Sequence, residues 1–155
     1  MNKASDMSEK DFDELYKKAM KIAEKAHAGQ VDKAGEPYIG HPLYVSEHVS
    51  GKPEKIAALL HDVVEDSDMT LEDLKDFPEE IVNAVDHLTR KKEQSYENYI
   101  CLLRLDPIAR NVKIEDLKHN MDLSRLKEVT DDDRQRVRKY EKYLKLLQEK
   151  PEAEK

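Results

Sequence analysis

The chain has 155 residues, and its 38% hydrophobic and 39% charged content suits one helical core with heavily solvated outer faces. Only 4 glycines and 6 prolines punctuate it, which disfavours a sandwich or barrel of many tight turns; abundant Ala, Leu, Glu and Lys favour helix. The formal net charge of −7 is the opposite of the basic footprint that nucleic-acid binding requires, so the expectation is an all-α protein without a nucleic-acid partner.

Ser8 opens the first predicted helix, with Asp11 three residues on as an approximate capping box. Phe12, Leu15, Tyr16, Ala19, Ile22, Ala23 and Ala26 recur at helical spacing, and the helix is expected to end near His27, before Gly29. Residues 29–40 read as a loop, because Gly29, Gly35, Pro37 and Gly40 interrupt any period. Pro42 suits the first turn of a short helix over 43–49. Pro53 starts a helix expected to run from Glu54 to about Glu65. Its stretch Ile56-Ala57-Ala58-Leu59-Leu60 is apolar on nearly every face, so it belongs in the centre of the core. Thr70 caps a short helix containing Glu72 and Leu74, and Pro78 opens one with Ile81, Val82, Val85 and Leu88 on one face. Ser95 starts a helix through Tyr99, Leu102 and Leu103; Asp106-Pro107 is an N-cap and first-turn pair for another through Leu117. Residues 120–129 read as a connection, and Thr130 caps a charged last helix to about Gln148. One domain over 8–149 is expected, with flexible termini at 1–7 and 150–155. The start lacks the apolar stretch of a signal peptide, and no apolar run approaches the ~18 residues of a membrane span. The lone Cys101 precludes an internal disulfide, which fits a cytoplasmic setting.

The chemical signal is Leu60-His61-Asp62-Val63-Val64-Glu65-Asp66, a histidine and three carboxylates at the end of an apolar helix. On a continuous helix His61 and Glu65 would share a face, as would Asp62 and Asp66. Carboxylates entering a buried segment need partners, and a divalent cation serves imidazole and carboxylate together. Nitrogen and oxygen donors suit a borderline ion such as manganese, iron or zinc. An isolated His-Asp dipeptide is ordinarily a surface or capping pair, so the reading rests on combining it with donors from distant segments. His41, at a loop-to-helix junction, and Asp116, flanked by apolar Ile114 and Leu117, are those candidates.

Three motifs then carry a family resemblance: Gly35-Glu36-Pro37-Tyr38-Ile39-Gly40-His41-Pro42, Ala58 through Asp66, and Val112-Lys113-Ile114-Glu115-Asp116-Leu117-Lys118-His119-Asn120. Val85-Asp86-His87-Leu88-Thr89-Arg90 is a looser fourth. Over roughly residues 12–147 the chain resembles HD-domain proteins, and more narrowly the hydrolase domain of RelA/SpoT-type alarmone enzymes, without their synthetase domain. The resemblance implies an all-α HD-domain helical bundle with a metal site in its centre. It implies His41, His61, Asp62 and Asp116 as ligands of a divalent cation, usually manganese, and Glu65 and Asp66 as the acidic pair acting on the attacking water. It matches Asn120 to a sugar contact and Lys33 to a basic position near the substrate phosphates. The implied reaction removes the 3′-diphosphate of guanosine tetraphosphate or pentaphosphate. Two positions depart from the pattern: Asp32, where the family often has an arginine packed on guanine, and Leu123, where it often has threonine. They leave open an HD phosphohydrolase for another nucleotide or phosphoester, or a non-catalytic nucleotide-sensing module.

Beside these, Lys113, Lys118 and Arg125 are candidate phosphate contacts, with Lys33 and Lys113 carrying the greater weight. His27 reads as a helix-end residue, His48 as a possible approach to the site, His119 as structural, and Cys101 as buried. The tyrosines at 96, 99, 140 and 143 and the basic run of the last helix read as packing and solvated surface. The expected partner is a small nucleotide; the oligomeric state stays open.

Overall fold

The computed structural model describes residues 6–149. The expectations for residues 1–5 and 150–155 lie outside it. The described residues form helices α1 (Glu9–Ala26), α2 (Gly40–His48), α3 (Lys52–Leu60), α4 (Val63–Asp66), α5 (Glu79–Leu88), α6 (Tyr96–Leu103), α7 (Pro107–Met121) and α8 (Asp131–Gln148), with a 3-10 turn at Leu71–Leu74. The only β-type pairing among them is an isolated bridge between Val31 and Pro37, so the all-α expectation holds.

Local chemistry explains most boundaries. The Ser8 hydroxyl accepts the Asp11 N–H at the start of α1. The Asp106 carboxylate accepts the N–H groups of Ile108 and Ala109 at the start of α7. Thr130 and Asp133 cap α8 reciprocally, as Thr70 and Asp73 do for the 3-10 turn. Helix α2 begins three residues earlier than expected, which puts His41 in its first turn. Helix α7 continues to Met121, which puts Asn120 on a helix instead of in a connection.

The centre of the bundle is α3, which packs on α1, α2, α5 and α7. Ile56 through Leu60 have no exposed surface, so this helix is buried all round, as its unbroken apolar run requires. The expectation of one helix from Glu54 to Glu65 is corrected. The chain turns at His61-Asp62 between α3 and α4, with Asp62 at φ −104° and ψ 0°. The reason is local: His61 directs both its backbone N–H (3.5 Å) and its ring Nδ1 (2.5 Å) at the carbonyl of Ala58. The ring takes the acceptor that a continuing helix would offer to the next turn.

Cys101 is exposed, contrary to expectation. Helix α6 turns Tyr99, Ile100 and Leu103 inward, which leaves 101 and 102 on its outer face. No helix among the described residues is long and apolar enough to cross a membrane.

Because α3 is enclosed on all sides, Leu59→Ala should lower unfolding free energy by roughly 2–5 kcal/mol. Urea denaturation followed by far-UV circular dichroism measures this; a loss under about 1 kcal/mol would mean that α3 does not organise the core.

Candidate metal centre

Three segments converge on one point. The loop–α2 junction contributes His41, the α3–α4 turn His61 and Asp62, and the middle of α7 Asp116. One potential ligand atom from each lies within 4.8 Å of all the others. His41 Nε2 is 2.6 Å and His61 Nε2 3.3 Å from Asp116 Oδ1. His61 Nε2 is 3.1 Å and His41 Nε2 3.9 Å from Asp62 Oδ2. His41, His61 and Asp116 are buried, and Asp62 is nearly so.

Both imidazoles are held from behind. A carbonyl can only accept, so the His61 bond to Ala58 O puts a proton on Nδ1 and turns Nε2 to the cluster. His41 Nδ1 lies 2.7 Å from Nδ1 of buried His119, so of these two nitrogens one donates and the other accepts. His119 is itself fixed by stacking on Tyr44 at 3.9 Å between ring centres. The reading of His119 as merely structural missed this contact, which joins positions 78 residues apart. The same holds for Tyr38, whose hydroxyl donates to Asp62 Oδ2 at 2.6 Å. Tyr38 sits inside the Glu36-Pro37-Tyr38 motif, so its place in that motif was the available signal.

The charges are strongly coupled. Burial opposes ionisation of Asp62, but His61 beside it outweighs that and holds its pKa at about 2. Burial likewise works against an ionised Asp116, yet Lys113 and the two histidines bring it well below the usual carboxylate range. Burial disfavours the charged form of His61, and Asp62 and Asp116 reverse this and raise its pKa. Two carboxylates and two imidazole nitrogens therefore converge in a dry place where cationic character is favoured. This donor set fits a divalent cation of borderline character.

Two cavities meet beside the cluster, sharing Tyr38, Asn120 and Tyr140. The first, about 360 Å³, is lined by Asp32, Lys33, Arg125 and Arg136 among others, and by His41 and His119 at its inner end. The second, about 310 Å³, holds Asp62, Glu65, Arg90, Lys113 and Asp116. Lys113 Nζ is 2.8 Å from Asp116 Oδ2 and faces the rings of Tyr96 and Tyr99. Asn120 Nδ2 donates to Asp116 Oδ1 at 3.2 Å, one helical turn along α7.

The acidic pair divides. Glu65 Oε1 accepts the Arg90 backbone N–H and lines the second cavity. Burial raises its pKa, against that hydrogen bond and with help from Asp62. Asp66 opens onto a different depression, beside Gln30, Ser67 and Asp73. Its pKa is also raised by burial and then by Asp62. Among the remaining histidines, His27 packs on Tyr38, His48 stacks on Tyr44 at the surface, and His87 pairs with Asp106 at the start of α7. Tyr99 and Tyr143 are core residues, whereas Tyr140 and Arg136 face a cavity that sequence periodicity did not foretell.

The model of the HD domain family matches residues 19–147. The guanosine-3′,5′-bis(diphosphate) 3′-pyrophosphohydrolase of Borreliella burgdorferi is 38% identical over 104 residues, covering 58% of this chain and 16% of that protein. The enzyme of the same name from Aquifex aeolicus is 36% identical over 121 residues, covering 70% and 17%. A probable GTP pyrophosphokinase of Mycobacterium leprae is 33% identical over 121 residues, covering 69% and 15%. The chain thus spans about one sixth of the length of these curated relatives. A solved structure of a metazoan ortholog of SpoT, described as hydrolysing ppGpp, superposes with a TM-score of 0.69 at 24% identity, covering 86% of this chain and 84% of that one. That likeness shows the fold.

Removing the contact behind His41 should weaken the cluster without emptying it. His119→Phe is expected to lower manganese affinity roughly 10–100-fold in chelator competition. His119→Gln, which keeps an acceptor, should recover part of it. Equal affinity in wild type and both variants would show that His119 only fills space.

Proposed function

The chain belongs to the HD-domain family, and we propose that it is a metal-dependent nucleotide phosphohydrolase that removes the 3′-diphosphate of guanosine tetraphosphate or pentaphosphate. The observation that carries this reading is the four-donor cluster at the junction of two cavities, with Glu65 on the wall of one and cationic side chains in both. The names of the Borreliella and Aquifex relatives support the substrate.

In this reading His41, His61, Asp62 and Asp116 hold the cation. Manganese suits two nitrogen and two oxygen donors, with iron(II) and zinc as the other borderline ions. The chemistry supplied by such a cation is polarisation of a phosphoryl oxygen and a lowered pKa of nearby water. Glu65 accepts a proton from the attacking water; its raised pKa makes it a better base than an ordinary glutamate. Its carboxylate is aimed by the Arg90 N–H. Asp66, which opens onto a different depression, adds negative potential beside Asp62 and does not reach that water. A phosphorus–oxygen bond forms to the water oxygen as the bond from phosphorus to the ribose 3′ oxygen breaks. The 3′ oxygen leaves with a proton, and the products are a nucleoside diphosphate or triphosphate and pyrophosphate. Lys113 and Arg90 offset the charge of the diphosphate in the second cavity. Asn120, which faces both cavities, contacts the sugar between them, and Lys33 meets phosphate in the first. A small-molecule substrate and a cytoplasmic setting go with this assignment.

A second reading keeps the chemistry and changes the nucleotide. It is favoured by Asp32, whose carboxylate lines the first cavity where the resemblance leads one to expect arginine. A panel of guanine and adenine 3′-phosphorylated nucleotides separates the two.

With manganese, the purified chain should release pyrophosphate from guanosine tetraphosphate. Glu65→Gln should lower kcat roughly 10²–10⁴-fold while retaining the rise in Tm that manganese gives the wild type. Cleavage of simple phosphomonoesters with every 3′-diphosphorylated guanosine nucleotide untouched would overturn the alarmone assignment.

A further inference from the structure

One side chain just past the end of α1 makes hydrogen bonds that the hydrolytic chemistry does not use. The N–H of Gln30 donates to His27 O at 3.0 Å, and its carbonyl accepts the Tyr38 N–H at 2.9 Å. Its side-chain Nε2 donates to two carbonyls, Ala26 O at 3.2 Å and Asp66 O at 2.9 Å. Carbonyls only accept, so these two bonds settle which end of the amide is nitrogen. Oε1 is therefore the atom 2.9 Å from His27 Nδ1, and it accepts that ring's proton. His27 is buried, its Nε2 has no partner among the described residues, and its ring packs on Tyr38, whose hydroxyl holds Asp62. Gln30 thus joins the end of α1, the Tyr38 turn and the end of α4.

Helix α4 needs such a tie. It is 4 residues long, closed by the Asp66 N–H on Asp62 O at 2.9 Å. So short a helix does not repay the cost of fixing its own backbone. The carbonyls at its end are open unless side chains reach them. Ser67 Oγ donates to Val63 O at 2.6 Å from the next residue along the chain. The bond from Gln30 to Asp66 O comes from a segment 36 residues away. Glu65 lies on this same turn, beside the carbonyl that Gln30 holds. Its carboxylate accepts the Arg90 N–H at 3.0 Å. Glu65 is therefore aimed twice, by Arg90 at its carboxylate and by Gln30 at its backbone.

Resting on the hydrolase reading above, we propose that Gln30 is a positioning residue for the hydrolytic step, anchoring the end of α4 to α1 and so holding the Glu65 carboxylate where the attacking water passes its proton. Gln30 lines the depression beside Asp66 and neither of the two cavities at the cluster, so it acts through Glu65 and not on the substrate. Proton transfer to a base requires hydrogen-bond reach, which makes turnover sensitive to small displacements of α4. The metal donors are held by other groups: Asp62 by the Tyr38 hydroxyl, His61 by Ala58 O and His41 by His119. Loss of the amide should therefore change turnover and leave ion affinity alone.

The test uses the full chain with manganese and guanosine tetraphosphate. Gln30→Met keeps the length of the side chain without its donors and adds no charge; Gln30→Glu keeps the acceptor for His27 and loses both donors. Each should lower kcat roughly 10–100-fold, with KM and manganese affinity unchanged. A double-mutant cycle then asks whether the effect runs through Glu65. In the Glu65→Gln background, adding Gln30→Met should cause no further loss in single-turnover rate, because the group being positioned is already gone. Wild-type kcat in both Gln30 variants overturns the proposal. So does a full additional loss on top of Glu65→Gln, or a fall in manganese affinity as large as the fall in kcat, since either marks a general support of the fold. Should the methionine variant not fold, Gln30→Glu carried through the same cycle gives the same decision. If wild type cleaves no 3′-diphosphorylated nucleotide, the hydrolase reading itself fails and takes this one with it; wild-type turnover beside unaffected variants removes the role of Gln30 alone.

Discussion

A buried carboxylate organises this molecule. Asp116 projects from the middle of α7 into the bundle, where an isolated negative charge would be very unfavourable. It is surrounded accordingly: both histidines and Asn120 approach Oδ1, and Lys113 holds Oδ2. These partners come from the loop–α2 junction, the α3–α4 turn and α7 itself. Satisfying one charge therefore ties together the elements that wrap α3. Removing a single partner would leave charge without compensation, so the network is conditional on all its members.

The same arrangement has the geometry of a divalent-cation site. Here the four potential ligand atoms face one another, and the groups behind them, Ala58 O and His119, hold the imidazoles by their other nitrogens. Rings held from behind are the arrangement expected of metal-binding histidines. The break between α3 and α4 belongs to this design, since the His61 ring that ends the helix is also the ring that presents Nε2. Around it, the two cavities divide the work that a nucleotide hydrolase would need. The inner, tyrosine-walled cavity contains Glu65, Arg90 and Lys113, and the outer one contains Lys33, Arg136 and the Asp32–Arg125 pair.

Most helix positions were legible because their signals are local. Caps at Ser8, Ser95, Asp106 and Thr130, and the apolar run of α3, act within a few residues. Where reading along the chain failed, a side chain had intervened in backbone bonding or a face had been assigned without a neighbour. His61 ended α3 early, and Cys101 fell on the outer face of α6. The tyrosines at helical spacing looked alike in sequence, yet Tyr143 is buried in the core while Tyr140 is only half-buried and borders both cavities, because only packing against other helices distinguishes them.

The sequence by itself determined the all-α class, the family resemblance and the chemical kinds of group in the candidate site. These follow from composition, from caps and periods, and from short motifs whose residues lie side by side. Tertiary structure alone decided which of those groups meet. It joined His41 to His119 across 78 residues, Tyr38 to Asp62 across 24, and Asp32 to Arg125 across 93. It also separated Glu65 from Asp66, adjacent in the chain, into different depressions. The reason is geometric: hydrogen bonds and ion pairs act over about 3 Å, and no spacing rule along a chain gives the distance between segments that are brought together only when α3 is enclosed.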